Sequence, residues 1–256
     1  MNYFIIGDIH GCYHTLVKLL KNKVDKDYLI CVGDYIDRGI FPGETIQLLN
    51  EYLKKGGTTL LMGNHDFYYA HYISGFKSSQ EKYLANDFKE TQPRLLKYGI
   101  NDDKYLQFKD KLVFLYETDN FIVSHAGINN EVFKIVNHNP VIKNSPCGNA
   151  SMEAEKIFGH NRTYLFENIL LDRLLPDDLG KLQIHGHTPL MCFNPVFFPE
   201  INSWNLDTGA FLGWGMSAIR INDKGDVLNT FFERTDHRDI NCSFLLKLQW
   251  VIRVPK

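Results

Sequence analysis

The chain has 256 residues, 44% of them hydrophobic, enough to build one large α/β or β domain around a substantial core. Charged residues make up 23%, the formal net charge is -2 and the pI is near 6.5, so no overall positive field exists to hold an extended nucleic acid. Five scattered cysteines without a C-x-x-C pair suggest neither a disulfide framework nor a zinc ribbon, and fit reduced thiols in a cytoplasmic protein.

The first apolar run, Tyr3 to Ile6, stops at GDIHG (7–11) and is too short for a signal peptide or a membrane span, so it reads as a strand. From His14 to Lys21, Leu16, Leu19 and Leu20 recur at helical spacing. A second apolar run, Tyr28 to Val32, leads into GDYIDRG (33–39). Gly43 to Lys55 then carries Ile46, Leu49 and Leu53 and ends at Gly56-Gly57, the pattern of a helix and its stop. Thr58 to Met62 leads into GNHD (63–66). Strand, helix, strand, helix, strand predicts a βαβαβ start with neighbouring parallel strands, and such sheets collect functional residues beyond the carboxyl ends of their strands.

Residues 67–116 and 131–178 read as helical insertions that wall the cleft, with helices around Phe67 to Ile73, Gln80 to Phe88 and Ser151 to Phe158. Between and after them, Phe121 to Val123 leads into SHAG (124–127) and Lys181 to Ile184 into HGHTP (185–189). Trp204 to Thr208, Met216 to Ile221 and Val227 to Arg234 are β-rich runs broken by glycines, as an antiparallel second sheet would be. With no repeat, low-complexity tract or linker, residues 1–256 read as a single domain.

Five strand ends therefore deliver polar residues to one place. Asp8 and His10, two apart on an extended exit, project to the same side, and Asp34 from the next strand can reach their metal and, with its second oxygen, another. Asn64, His125 and His187 would give that second metal an amide oxygen and two imidazoles. This mixed N/O set favours Mn, Fe or Zn over Mg or Ca. Two such ions roughly 3.5–4 Å apart clamp a phosphoryl oxygen and acidify a bridging water to a pKa near 7. His65 follows a metal ligand directly and suits the acid that protonates a leaving oxygen, with Asp37 holding its tautomer. Arg38 can fork two phosphate oxygens.

GDIHG, GDYIDRG, GNHD, HAG and GHTP, in that order across residues 7–189, resemble the phosphoprotein phosphatase branch of the calcineurin-like metallophosphoesterases, which holds Ser/Thr protein phosphatases and symmetrical diadenosine tetraphosphatases. LDTGA (206–210) extends the likeness. The resemblance implies an α/β fold, a two-sheet sandwich flanked by helices. It also implies metals at Asp8, His10, Asp34, Asn64, His125 and His187, and His65 with Asp37 as the catalytic pair. It further implies a second phosphate-binding arginine, best matched by Arg162 in IFGHNRTY. Bacterial symmetrical tetraphosphatases resembling this chain often carry alanine where Asp37 stands, which favours a phosphorylated protein or small phosphoester as substrate, with a dinucleoside polyphosphate as the alternative. Pro189 stands where the superfamily's nucleases resemble G-H-x-H, which disfavours a nuclease.

Among the remaining candidates, His14, His71, His138 and His237 read as ordinary surface or core histidines, and His160 lacks a preceding strand. His185 reads as hydrogen-bonding beneath the site, Asp207 as a turn cap, and the aromatic run from Phe67 to Tyr72 as helix packing, with nucleobase stacking as its minor alternative.

Overall fold

The computed structural model describes residues 1–75, 81–128 and 179–245. Strands β1 (Asn2–Ile6) and β2 (Tyr28–Cys31) send alternate side chains to opposite faces. Phe4, Ile6, Leu29 and Cys31 enter the core under the helices, while Tyr3, Ile5 and Ile30 enter a second core between two sheets. Burial on both faces is why these segments read as unbroken apolar runs, and each fully buried side chain contributes roughly 1.5–3 kcal/mol of transfer free energy.

Helices α1 (Tyr13–Leu20) and α2 (Pro42–Lys55) connect β1, β2 and β3 (Thr58–Leu60), which pair in parallel as the βαβαβ pattern predicts. The α1 stripe buries Leu16, Leu19 and Leu20, and α2 buries Ile46 and Leu49. Pro42 opens α2, where its missing N–H costs nothing.

The first insertion forms three helices: α3 (Asn64–Ile73), α4 (Glu81–Lys97) and α5 (Asp102–Lys109). Helix α3 begins at Asn64, three residues before the aromatic run, so two candidate site residues lie in its first turn. Helix α4 continues beyond Phe88, through Pro93, to Lys97. Tyr69 of α3 meets Phe88 and Tyr105 edge-on at 5.4 and 4.7 Å, so the aromatic run packs the three helices together. The second insertion, its expected helix at Ser151 to Phe158, and Arg162 lie outside the described residues.

After α5 come β4 (Leu115–Glu117), β5 (Phe121–Ser124), β6 (Leu182–His185), β7 (Val196–Phe198), β8 (Ser203–Asn205), β9 (Gly215–Asn222) and β10 (Val227–Arg234). They complete two five-stranded sheets, ordered β10-β9-β1-β2-β3 and β4-β5-β6-β8-β7. This corrects the expected antiparallel second sheet. The β9–β10 hairpin joins the first sheet, antiparallel to β1, whereas Trp204 sits on β8, parallel to β6. The strand pattern is right and the edge is not, because β9 alternates Met216 and Ala218 with Ile219 and Ile221 into two cores and fits either sheet locally. The sheets face each other through Ile5, Ile30, Phe121, Val123 and Ile184, which brings the ends of β1, β2, β5 and β6 together. Among the described residues, no helix is long and apolar enough to cross a membrane.

Candidate metal centre and catalytic pair

At the end of β2, Asp34 lies between the two sheets' contributions. Its Oδ2 is 3.4 Å from His10 Nε2 and 3.6 Å from His125 Nε2, and its Oδ1 accepts the His65 amide at 3.0 Å. The other ring nitrogen of each histidine meets a backbone carbonyl: His10 Nδ1 at Ile36 and His125 Nδ1 at Val32, both 3.0 Å. Donation there fixes the tautomer and turns an unprotonated Nε2 toward Asp34.

His125 Nε2 and His187 Nδ1 each lie 3.0 Å from Asn64 Oδ1 and 3.2 Å from each other. Burial, foremost, pushes both imidazoles down to about 3, leaving them neutral as ligands must be. Lone pairs converging in this way, with a carboxylate beside them, fit a cation. Asp8 adds another sign: Oδ1 accepts the His187 amide at 3.0 Å, while Oδ2 is buried without a hydrogen-bond partner. Its carboxyl is raised well above the usual range, first by burial and then by Asp207 and Asp34.

Among the described residues, two groups of donor atoms lie within 4.8 Å of one another: His10, Asp34 and His65, and Asp34, His125 and His187. Asp34 is common to both. In the first group His65 stands where sequence reasoning put Asp8, although its Nδ1 is 2.7 Å from Asp37 Oδ2. Burial drives that pair in opposite directions, the imidazole down to about 4 and the carboxyl up to about 7.

Backbone conformation marks the same residues. His10, Asp34, Asp37, Arg38 and His187 have φ of 47°, 52°, 65°, 65° and 73°, the left-handed region that side chains avoid. Neighbouring backbone comes unusually close: a Cβ on Gly186 would lie 2.0 Å from Asp8 Oδ1, and one on Gly63 2.1 Å from Asp34 Oδ1. The Arg38 guanidinium is 4.2 Å from the centre of the Phe211 ring, whose edge-on neighbour at 4.8 Å is His10.

Three contributors, Asp66, Phe211 and Thr91, escaped the sequence reading in these roles. Asp66 accepts the Tyr35 and Gly63 amides, both at 3.2 Å, and so stitches GNHD to GDYIDRG; an acid at the third position of a helix was a legible capping signal. Asp207 does cap a turn, accepting the Gly209 amide at 3.0 Å, but its Oδ2 is buried without a partner. Phe211 and Thr91, whose hydroxyl donates to Asp37 Oδ1, carry no local signal. His185 Nδ1 lies 3.2 Å from the Gly186 carbonyl, and its Nε2 is buried without a partner.

The chain belongs to the calcineurin-like phosphoesterase family, whose sequence profile matches residues 1–191. It is an enzyme of the hydrolase class, and the family implies divalent metal ions. Among its relatives is the asymmetrical bis(5'-nucleosyl)-tetraphosphatase PrpE of Halalkalibacterium halodurans, 29% identical over 251 residues, covering 86% of this chain and 90% of that one. The symmetrical bis(5'-nucleosyl)-tetraphosphatase of Vibrio parahaemolyticus is 31% identical over 133 residues, 50% of this chain and 45% of its own length. In fold, the chain is similar to a Saccharomyces cerevisiae protein serine/threonine phosphatase (TM-score 0.52, 14% identity, 93% of this chain and 81% of that one). It is also similar to a metallophosphoesterase of Sphaerobacter thermophilus (TM-score 0.53, 13% identity, 97% and 98%).

Proposed function

We propose that this chain is a phosphomonoesterase acting on phosphoserine, phosphothreonine or another small phosphoester with two divalent cations, Mn foremost and Fe or Zn as alternatives. The observation that carries the reading is the His65–Asp37 pair, 2.7 Å apart and buried beside the converging ligands. Asp8, His10 and Asp34 would hold one cation; Asp34, Asn64, His125 and His187 the other. When bound, the cations supply Lewis acidity and an acidified water for direct attack on phosphorus. Arg38 forks two phosphate oxygens, with Arg162 as its proposed second. His65 passes its Nε2 proton to the leaving oxygen while Asp37 holds the Nδ1 side. A serine alkoxide leaves poorly, so that proton is worth ~10²–10⁴-fold. The balanced charge and scattered thiols support a cytoplasmic setting without membrane or extended nucleic-acid partners.

A second reading, dinucleoside polyphosphate hydrolysis, is favoured by the relatives' names and by an aromatic rim. Phe193 and Trp214, 51% and 36% exposed, meet with ring centres 5.2 Å apart, and the Arg234 guanidinium lies 5.8 Å from the Phe193 ring centre. Trp214 precedes β9, whose Ser217 carbonyl accepts the Gly7 amide beside Asp8, so the rim stands at the site's end of the sheet. A nucleobase could stack there.

The test is parallel turnover by Mn-loaded enzyme of a phosphopeptide, p-nitrophenyl phosphate and diadenosine tetraphosphate. The first reading expects His65→Asn to slow the phosphopeptide far more than p-nitrophenyl phosphate, whose phenolate needs no acid. Faster diadenosine tetraphosphate hydrolysis by the unmodified enzyme, selectively lost in Trp214→Ala, establishes the second.

A further inference from the structure

Helix α4 reaches the site from outside the strand-end framework. Its inner face packs Phe88 and Leu95, at most 1% exposed, against the other helices, and between them lies Thr91, fully buried. A helical threonine commonly returns its hydroxyl to a carbonyl of its own preceding turn. Thr91 instead donates to Asp37 Oδ1, 54 positions away in sequence. One turn further, Arg94 Nη1 donates to the Gly39 carbonyl at 2.7 Å. The helix thus grips the Asp37-Arg38-Gly39 turn twice, across the two residues whose φ is 65°.

That turn needs an external hold. A left-handed backbone costs a side-chain-bearing residue roughly 1–2 kcal/mol, and the terminal torsion of a carboxylate is broad. Neither the backbone nor the rotamer of Asp37 would keep Oδ2 on His65 unaided. Among the described residues its carboxylate has two hydrogen-bond partners: His65 on Oδ2 and Thr91 on Oδ1. With Oδ1 occupied by the stiff, β-branched Thr91, Oδ2 is the oxygen left for His65.

We propose that Thr91 is a positioning residue for proton delivery: it fixes the Asp37 carboxylate so that His65 Nδ1 is held and Nε2 points at the leaving oxygen. The inference rests on His65 being the proton donor. Thr91→Val keeps the shape, removes the donor and leaves Oδ1 buried and unsatisfied. Thr91→Ser keeps the donor.

The experiment compares phosphopeptide with p-nitrophenyl phosphate turnover in Mn-loaded Thr91→Val, Thr91→Ser and His65→Asn, with metal content and melting measured on each. Expected for Thr91→Val is a ~10–100-fold fall in phosphopeptide kcat with little change in KM, a much smaller loss on p-nitrophenyl phosphate and full metal content, with Thr91→Ser restoring most of the phosphopeptide rate. In an Asp37→Asn background, Thr91→Val should add no further selectivity, since Thr91 acts through Asp37. If Thr91→Val does not fold, Thr91→Ala gives the same reading. Equal losses on both substrates, or serine behaving like valine, overturn the inference when His65→Asn is itself selective. Equal losses in His65→Asn overturn the proton-donor reading on which it rests.

Discussion

Asp34 and Asp37 stand three residues apart on one turn and are held by different kinds of group. Around Asp34 the holds are backbone: its Oδ1 accepts the His65 amide, and its carbonyl accepts the His10 amide at 2.7 Å. The Asp37 carbonyl likewise accepts the Gly39 amide at 2.7 Å, but its carboxylate is held by side chains, Thr91 from α4 and His65 from α3. The first arrangement survives most side-chain changes nearby, because amides follow from chain path. The second depends on which residues two helices present. The proposed metal ligands and the proposed proton donor should therefore be separable by substitution, although Asp34 and Asp37 are less than a helical turn apart in sequence.

The largest expected effect comes from breaking the backbone-held side at its centre. Asp34→Asn removes the carboxylate common to both donor groups among the described residues, and elemental analysis should find both proposed cations lost, with activity down by at least ~100-fold. Two tightly held cations in that variant would sink the shared-ligand assignment. Gly186→Ala comes next. Its Cβ would collide with Asp8 Oδ1, which accepts the His187 amide, so the variant should lose ~1–3 kcal/mol of stability, read as a lower Tm, and weaken binding of the cation proposed at Asp8.

Two smaller effects probe Arg38, which lies between the regions. Arg38→Ala should weaken inhibition by inorganic phosphate ~10-fold or more without lowering metal content. Phe211→Leu should weaken it only a few-fold, because a cation–π contact of ~0.5–2 kcal/mol orients Arg38 without itself touching phosphate. Phosphate inhibition unchanged in both would place Arg38 outside the pocket. A larger effect of Phe211→Leu than of Arg38→Ala would make the ring a direct contact.

What the sequence determined by itself is the strand-end side. An apolar run followed at once by a short polar motif states locally that a buried strand ends and a polar turn begins, which is how Asp8, His10, Asp34, Asn64, His125 and His187 could be listed as candidates from the sequence. The helices α1 and α2 followed from leucine spacing for the same reason, since one amphipathic stripe must face the sheet. Tertiary structure decided the rest. Nothing local in β9 says which sheet edge it completes, because its two buried faces satisfy either. Nothing around Phe211 or Thr91 announces a role, because each acts on a group far away in the chain and looks like ordinary core in its own neighbourhood. Periodicity reports whether a residue is buried, and only the folded chain fixes what it is buried against.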